Sequence, residues 1–427
     1  MEIVLITIRN FWTTFKTSKE LLFEKIIRLT IYLAVFFIPL ICLPLNDSFV
    51  EYSKIILFYI LVILGLLFWL LKLYYSKKIE FNFFILDIPI IIFVFIYLLS
   101  SLLSIDRLNS FLGFNFDVSH SFITILFLAV FYFLVSRFFD NLKNIKKLFI
   151  LLNISIFLIL LFNIVNSFCD LSILLLFNAS ANTLNFLLVL SVILGGVIFF
   201  SSNNQFERIF SLACALINIT ALYIFHNQIA LLLLIISIFF FILFSSFKSQ
   251  YFSNKVVVIL TLLILLTVFA LILPLNNLLN LSIPLELNLP NSFGWKITKN
   301  TLSDYMLLGV GPGNFSYSFY KYKPIEYNLS SLWQLGFEKN SNAWMEILNS
   351  IGILGILLLI ILFIKYFWHF TKYIKKNELN DEYNNKLLLI IGLTVIILLF
   401  IIFGCFNNYV FANILLFSLF LALACNL

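Results

Sequence analysis

The chain has 427 residues, of which 63% are hydrophobic and 11% are charged, with a formal net charge of +7. Soluble domains carry about 25% charged residues, so this composition excludes an ordinary water-soluble protein. The excess base lies between apolar runs and records topology, so it gives no reason to expect a nucleic-acid partner.

Residues 1–27 form an N-terminal segment expected on the cytoplasmic side. No cleavable signal peptide is expected, because the apolar stretch Met1–Ile8 is short and mixed acid and base follow it. Residues 9–27 read instead as an interfacial helix with Phe11, Trp12, Phe15, Leu21, Leu22 and Phe23 toward lipid. Beyond it, apolar runs near or above ~18 residues read as transmembrane helices. Nine fall within 28–274, at 28–46, 54–75, 84–104, 121–138, 147–167, 183–200, 207–225, 228–246 and 256–274. A long polar segment, 275–342, follows, and three more runs at 343–368, 386–404 and 408–426 fill 343–427. The expected fold class is all-α: a polytopic integral membrane bundle of about twelve transmembrane helices, with one long outer loop containing short helices.

The basic residues set the orientation. Twenty of the 27 lie in the N-terminal segment or at connections that alternate with the long loop, among them Arg137, Lys143, Lys146, Arg208 and Lys372. The rest are Lys54, Arg107, Lys296, Lys299, Lys321, Lys323 and Lys339. This positive-inside pattern predicts cytoplasmic termini, an outer long loop and residence in the cytoplasmic (inner) membrane. No internal repeat and no file of charged residues through the spans points to a coupled pump. The five cysteines are scattered without a CxxC pair, so neither a disulfide framework nor a metal site is indicated, and no cofactor is expected.

Candidate chemistry gathers on the outer side. Asn291 to Leu307 reads as a short amphipathic helix, capped by Asn291 after Pro290, with Trp295, Leu302, Tyr305 and Met306 toward one face. Lys296 and Lys299, one helical turn apart on another face, put two ammonium groups where a diphosphate leaving group could be held, or else form a solvated polar face. Gly309, Gly311, Pro312 and Gly313 then force a tight turn. Its amides could face an anion, although a turn that folds the loop back onto the bundle is the simpler reading. Arg107 suits bidentate phosphate contact, with a pairing to Asp106 as the alternative. Glu286, Glu326, Glu338 and Glu346 are the outer carboxylates, any of which could serve as a general base. Glu346 lies about one turn inside a helix and should face the bundle interior. His120 and His226 lie at the outer boundary, and Trp295, Trp333 and Trp344 could stack on sugars or anchor the loop at the interface.

These segments resemble the O-antigen ligase and polymerase superfamily of polytopic membrane glycosyltransferases. Trp295 matches the tryptophan of that family's amphipathic helix, and Gly309-Val310-Gly311-Pro312-Gly313-Asn314-Phe315 matches its glycine-rich turn. Ser341-Asn342 stands where the family has a His-Asn pair, and Gly352-Ile353-Leu354-Gly355 matches its helix step. Upstream, Ser104-Ile105-Asp106-Arg107 with Ser110, Phe111 and Gly113 resembles the family's early outer loop. Three positions depart. Ser341 replaces the histidine, Asn291 to Gly294 lack the usual arginine, and His226-Asn227-Gln228 replaces a Ser-Arg pair. The resemblance implies metal-independent transfer or polymerisation of a polyprenyl-diphosphate-linked glycan onto a glycan, lipid or protein acceptor at the outer membrane face. On that reading Arg107, Lys296 and Lys299 hold the diphosphate, helped by Trp295, Gly309, Gly311, Gly313 and Asn314 around the turn. Glu286 or His226 would be the base, and Asn342 and Glu346 would orient the acceptor. A glycan-lipid flippase or solute carrier is the competing class, for which Asn153, Asn163, Asn166, Asn185 and Asn218 would be the midplane residues.

Overall fold

The computed structural model describes residues 2–41, 49–76, 83–113, 118–169, 181–246, 254–272, 287–375 and 381–426. Glu286 and Asn178 lie outside them, as do the side chains of Phe11, Trp12 and Phe15. Every regular element among the described residues is helical. In chain order they are α1 (Glu2–Leu40), α2 (Phe49–Ser76), α3 (Asp87–Leu102), α4 (Arg107–Leu112), α5 (Phe122–Phe138), α6 (Leu142–Cys169), α7 (Ala181–Ser201) and α8 (Gln205–Phe225). Then come α9 (Gln228–Ser246), α10 (Asn254–Ile272), α11 (Asn291–Asp304), α12 (Phe315–Tyr322), α13 (Ala343–Ile374), α14 (Asp381–Phe406) and α15 (Phe411–Asn426).

Seven of these, α2, α6, α7, α8, α9, α13 and α14, hold stretches long and apolar enough to cross a membrane. The chain is a multi-pass helical membrane protein. Each of the twelve apolar runs overlaps a helix, but α3, α5, α15 and Leu260–Ile272 of α10 form a shorter class. The 16 residues of α3 rise only ~24 Å, against a hydrocarbon core of ~30 Å. At the other extreme α1 runs unbroken for 39 residues, so the interfacial helix expected at 9–27 continues directly into the first apolar run.

Burial separates core helices from shell helices. The most apolar windows of α7 and α14 are each 78% buried, whereas those of α2 and α8 are 33% buried. A helix apolar all round belongs in the middle of such a bundle. Phe186 of α7 packs on Phe400 and Phe403 of α14, with ring centroids 4.8 and 4.3 Å apart. The shell turns Ile56, Ile60 and Leu67 of α2 and Leu262, Leu265 and Phe269 of α10 outward. That apolar exterior requires lipid rather than water.

The long loop folds into its own lobe. Leu289, Ile297, Phe315, Phe319 and Tyr327 form a separate small core, roofed by the 3-10 turn Ile325–Leu329. The Tyr327 hydroxyl lies 2.7 Å from the Leu332 carbonyl and 2.8 Å from that of Leu335, which closes the roof.

The expected helix at Asn291–Leu307 is present but ends at Asp304, and Pro290 rather than Asn291 is its cap residue. Its protein-facing side is a third one, which the expectation did not name. The buried residues of α11 are Gly294, Ile297, Thr298 and Thr301, while Trp295 and Met306 are exposed. Glycine is the reason. A Cβ at Gly294 would stand 2.4 Å from the Ser341 hydroxyl, so only glycine lets α11 lie this close to residues 340–341. The small polar face therefore packs inward, and the aromatic stripe is left outside.

Candidate functional site

The glycine-rich turn and α13 repair one another. In an unbroken helix the Ile353 and Leu354 amides would bond to the Asn349 and Ser350 carbonyls. Here Gly352, at φ 66° and ψ −163°, breaks α13. Residues 306–311 occupy the gap. The Val310 amide donates to Asn349 O at 3.0 Å and the Gly311 amide to Ser350 O at 3.0 Å. In return the Ile353 amide donates to Met306 O at 3.1 Å and the Leu354 amide to Leu307 O at 3.3 Å. Two lost intrahelical bonds become four bonds to the loop, so the Asn349 and Ser350 carbonyls and the Ile353 and Leu354 amides all keep partners in apolar surroundings. A Cβ at Gly352 would lie 2.4 Å from Leu307 O, and one at Gly309 would lie 2.4 Å from Asn349 O.

The turn is fixed from its other side by the corner between α3 and α4. Ser100 Oγ lies 2.7 Å from Leu308 O and 2.9 Å from Ser350 O, tying turn and break together. The Ile105 amide donates to Val310 O at 3.2 Å. Asn109 Nδ2 donates to Gly313 O at 2.7 Å and to Asn314 Oδ1 at 3.0 Å, and Ser110 Oγ donates to Pro312 O at 2.9 Å. Asn314 Nδ2 reaches Ser110 Oγ at 2.9 Å, Val310 O at 3.2 Å and Asp106 O at 3.3 Å.

A buried polar rim begins just above the break. Asn342 caps α13, its Oδ1 accepting from the Met345 amide at 2.9 Å, and its Nδ2 donates to Asn291 Oδ1 at 3.3 Å. Glu346 is 1% exposed and its Oε2 accepts the Asn340 amide at 2.7 Å. A carboxylate in the first turn of a helix is favoured by the helix dipole. Asn340 Nδ2 donates to Thr298 Oγ1 of α11 at 2.8 Å, and Asn408 Nδ2 donates to Asn340 O at 3.3 Å. One turn beyond Glu346 lies Asn349, also 1% exposed; neither its Nδ2 nor its Oδ1 has a partner among the described residues. The buried Ser104 hydroxyl is in the same state. Buried polar atoms of this kind call for a water or a ligand group.

The expected residues divide accordingly. Arg107 opens α4 and is exposed; Asp106 caps that helix by accepting the Asn109 amide at 3.1 Å instead of pairing with Arg107. Gly309, Gly311, Gly313 and Asn314 are assembled at the turn, with the Gly309 and Gly311 amides and the Asn314 side chain engaged in protein hydrogen bonds. Asn342 and Glu346 are assembled at the rim. Trp295, Lys296 and Lys299 sit on the outward face of α11. Lys296 is ion-paired with Glu326, whereas Lys299 has no ion pair among the described residues. His226 ends α8 in the left-handed region at φ 46°. It belongs to a helix pair, α8 and α9, that packs on α6, α7, α10 and α14 rather than on α4 or α11. Trp344 is an anchor, its Nε1 donating to Ile401 O at 3.1 Å, while Trp333 is exposed.

Lys54 has no role among the sequence expectations. It is 5% exposed on α2, one helical turn after Glu51, whose Oε2 lies 3.3 Å from Lys339 Nζ. Its signal was a lone lysine at the mouth of an apolar run. Asn349 has no local mark in a sequence where asparagine is common.

At the outer edge of the lobe, Lys321 Nζ lies 3.2 Å from Asp304 Oδ2, and the Tyr322 hydroxyl donates to the same oxygen. The Tyr322 hydrogen bond, with that from Lys321, holds the Asp304 carboxyl below its ordinary value. Contact with Tyr322 and Asp304 pushes the Lys321 ammonium up.

No protein-family model matches this chain, and no curated protein matches it.

Proposed function

We propose that this chain is an O-antigen ligase-like membrane glycosyltransferase that uses a polyprenyl-diphosphate-linked glycan as donor. The observation that carries this reading is a convergence. Residues 104–113, 309–315 and 340–355, the first two segments 205 positions apart at Asn109 and Asn314, carry the sequence resemblance and meet around one broken helix. Broken helices lined by polar groups are where membrane proteins of other classes hold charged substrates. On this reading about twelve spans sit in the cytoplasmic membrane, with cytoplasmic termini and the lobe outside.

The reaction follows from that chemistry. An acceptor hydroxyl oxygen attacks the anomeric carbon of the donor sugar, forming the new glycosidic bond. The bond to the diphosphate oxygen breaks, and polyprenyl diphosphate leaves with the electron pair. The hydroxyl proton passes to a carboxylate, for which Glu286 and Glu346 are the candidates, His226 being held on the α8–α9 pair. Arg107, Lys299 and the buried Lys54 supply positive charge toward the leaving group, with Lys296 joining once released from Glu326. Asn342 and Asn349 orient the acceptor.

The test uses purified protein in proteoliposomes with a fluorescent polyprenyl-diphosphate oligosaccharide and a panel of glycan, lipid and protein acceptors. Lipid diphosphate release with a larger glycan product is expected, falling ~100-fold or more in Glu346→Gln or Arg107→Ala if each acts at the reacting centre. Absence of turnover with every acceptor, alongside movement of labelled lipid between leaflets, would assign the chain to the transport class. The cluster that favours transport is Asn153, Ser191 and Asn218, with Ser191 Oγ to Asn153 Oδ1 at 2.9 Å and Asn218 Nδ2 to Ser191 Oγ at 2.7 Å. It is fully buried, which suits interhelical binding better than a path.

A further inference from the structure

The membrane surface opposite the lobe carries a second feature. The start of α7 is at the lobe end, since Phe186 stacks on Phe403 near the end of α14. A Cβ at Gly392, about three turns before Phe403 in α14, would meet Val197 at 2.2 Å, so α7 runs away from the lobe and Ser201 is toward the far surface.

Between α7, α8, α9 and α10, toward that far end, lies a cavity of about 220 Å³. Phe199 and Phe200 of α7, Leu212 and Leu216 of α8, Phe241 of α9 and Leu263 of α10 are among the side chains lining it. Its one hydroxyl, on Ser237, is already bound to Leu234 O at 2.7 Å. Gly196 also lines it, and a Cβ there would meet nothing within 4 Å, so this helix presents bare backbone to open space.

Two cations stand at the mouth. Ser201 and Ser202 directly follow the lining phenylalanines, and Arg208 lies one turn before the lining Leu212. Arg208 Nε donates to Ser202 O at 2.5 Å, and Lys146 Nζ of α6 donates to Ser201 O. Arg208 is exposed, and its Nη groups have no partner among the described residues. Glu207, held by the Ser202 hydroxyl, offsets one of the two cations, so Lys146 and Arg208 leave the corner one net positive charge. An apolar slot with a cationic lip at a membrane surface matches an anionic amphiphile in both charge and polarity.

We infer that this corner binds one anionic phospholipid of the leaflet opposite the lobe, with an acyl chain in the α7–α10 cavity and its phosphate against Arg208 and Lys146. The site is separate from the proposed transferase centre and stands whether or not that reading holds.

Native mass spectrometry of the full chain tests it, after equilibration with equal amounts of phosphatidylglycerol and phosphatidylcholine of identical acyl chains. One net cation at a membrane surface predicts about fivefold preference for the anionic lipid. Arg208→Gln should bring that ratio close to unity while either lipid is still retained. Gly196→Leu, which fills the slot, should lower retention of both lipids, whereas Gly196→Ala should leave binding intact and so report that the helix still packs. Equal retention of the two lipids by the unaltered chain overturns the assignment of an anionic headgroup to this corner, as does a preference that survives Arg208→Gln. Undiminished retention in Gly196→Leu overturns the cavity assignment.

Discussion

Gly309 and Gly313 share a left-handed backbone, at φ 66° and 71°, but differ in what surrounds them. A Cβ at Gly309 would stand 2.4 Å from a backbone carbonyl that cannot retreat without opening α13, whereas the nearest atom at Gly313 is 3.6 Å away. Gly313→Ala should therefore cost only the backbone term, about 1–2 kcal/mol. Gly309→Ala should exceed about 3 kcal/mol, because collision adds to strain. Thermal melts in detergent would rank them, and equal losses would show that the close approach does not matter. Asp304 offers a pH test of the lobe. Its folded pKa lies below the ordinary value of 3.8, so its contribution is present at neutral pH and is lost as pH falls from that value through the depressed one. Hydrogen exchange across 304–322 should be flat from pH 7 to 5, after correction for intrinsic rate, and should quicken only below about pH 4. Asp304→Asn should remove that acid step.

Among the elements, the broken α13 depends on a turn that other elements hold in place. Asn314 bridges Asp106, Ser110 and Val310, so Asn314→Ala leaves the buried Asn109 and Ser110 groups short of partners, at a cost of about 1–3 kcal/mol. The amides of Val310 and Ile353 should then exchange faster together, because each belongs to the same loop–helix junction. Faster exchange at one without the other would count against a shared junction. The lobe has its own core, and Phe319 is at its centre, fully buried against Tyr327 and Phe337 with ring centroids 5.3 and 5.8 Å away. Phe319→Ala should cost about 3–5 kcal/mol locally. It should open 287–340 to protease while the helices of the bundle stay protected. Loss of the whole bundle would mean that lobe and membrane helices fold as one unit.

Across the whole molecule, the lobe and the α7–α8 turn lie at opposite ends of the bundle. Single cysteines introduced at the exposed Trp333 and Asn203 should therefore react with a membrane-impermeant maleimide from opposite sides of sealed vesicles. Labelling of both from one side would refute the arrangement. The same experiment orients the chain and tests the positive-inside expectation for its termini.

The all-helical membrane character, the position of the loop and the glycine turn were legible in the sequence because each depends on local chemistry. Apolar runs must close their own hydrogen bonds in lipid, and Gly309, Gly311 and Pro312 cannot continue a helix. Glu346 was placed inward by the same logic, since a carboxylate one turn inside an apolar helix has nowhere else to go. What only the tertiary structure decided depends on partners far away in the chain. The face of α11 that packs on residues 340–341 was not legible, because Gly294 gains its value from contact with Ser341, which no periodicity reveals. The exchange of hydrogen bonds between 306–311 and 349–354, the separation of His226 from the α4–α11 region, and the buried state of Lys54 and Asn349 are likewise products of packing. A residue's period and polarity come from its neighbours in sequence, but whether its polar atoms find partners is settled by neighbours in space.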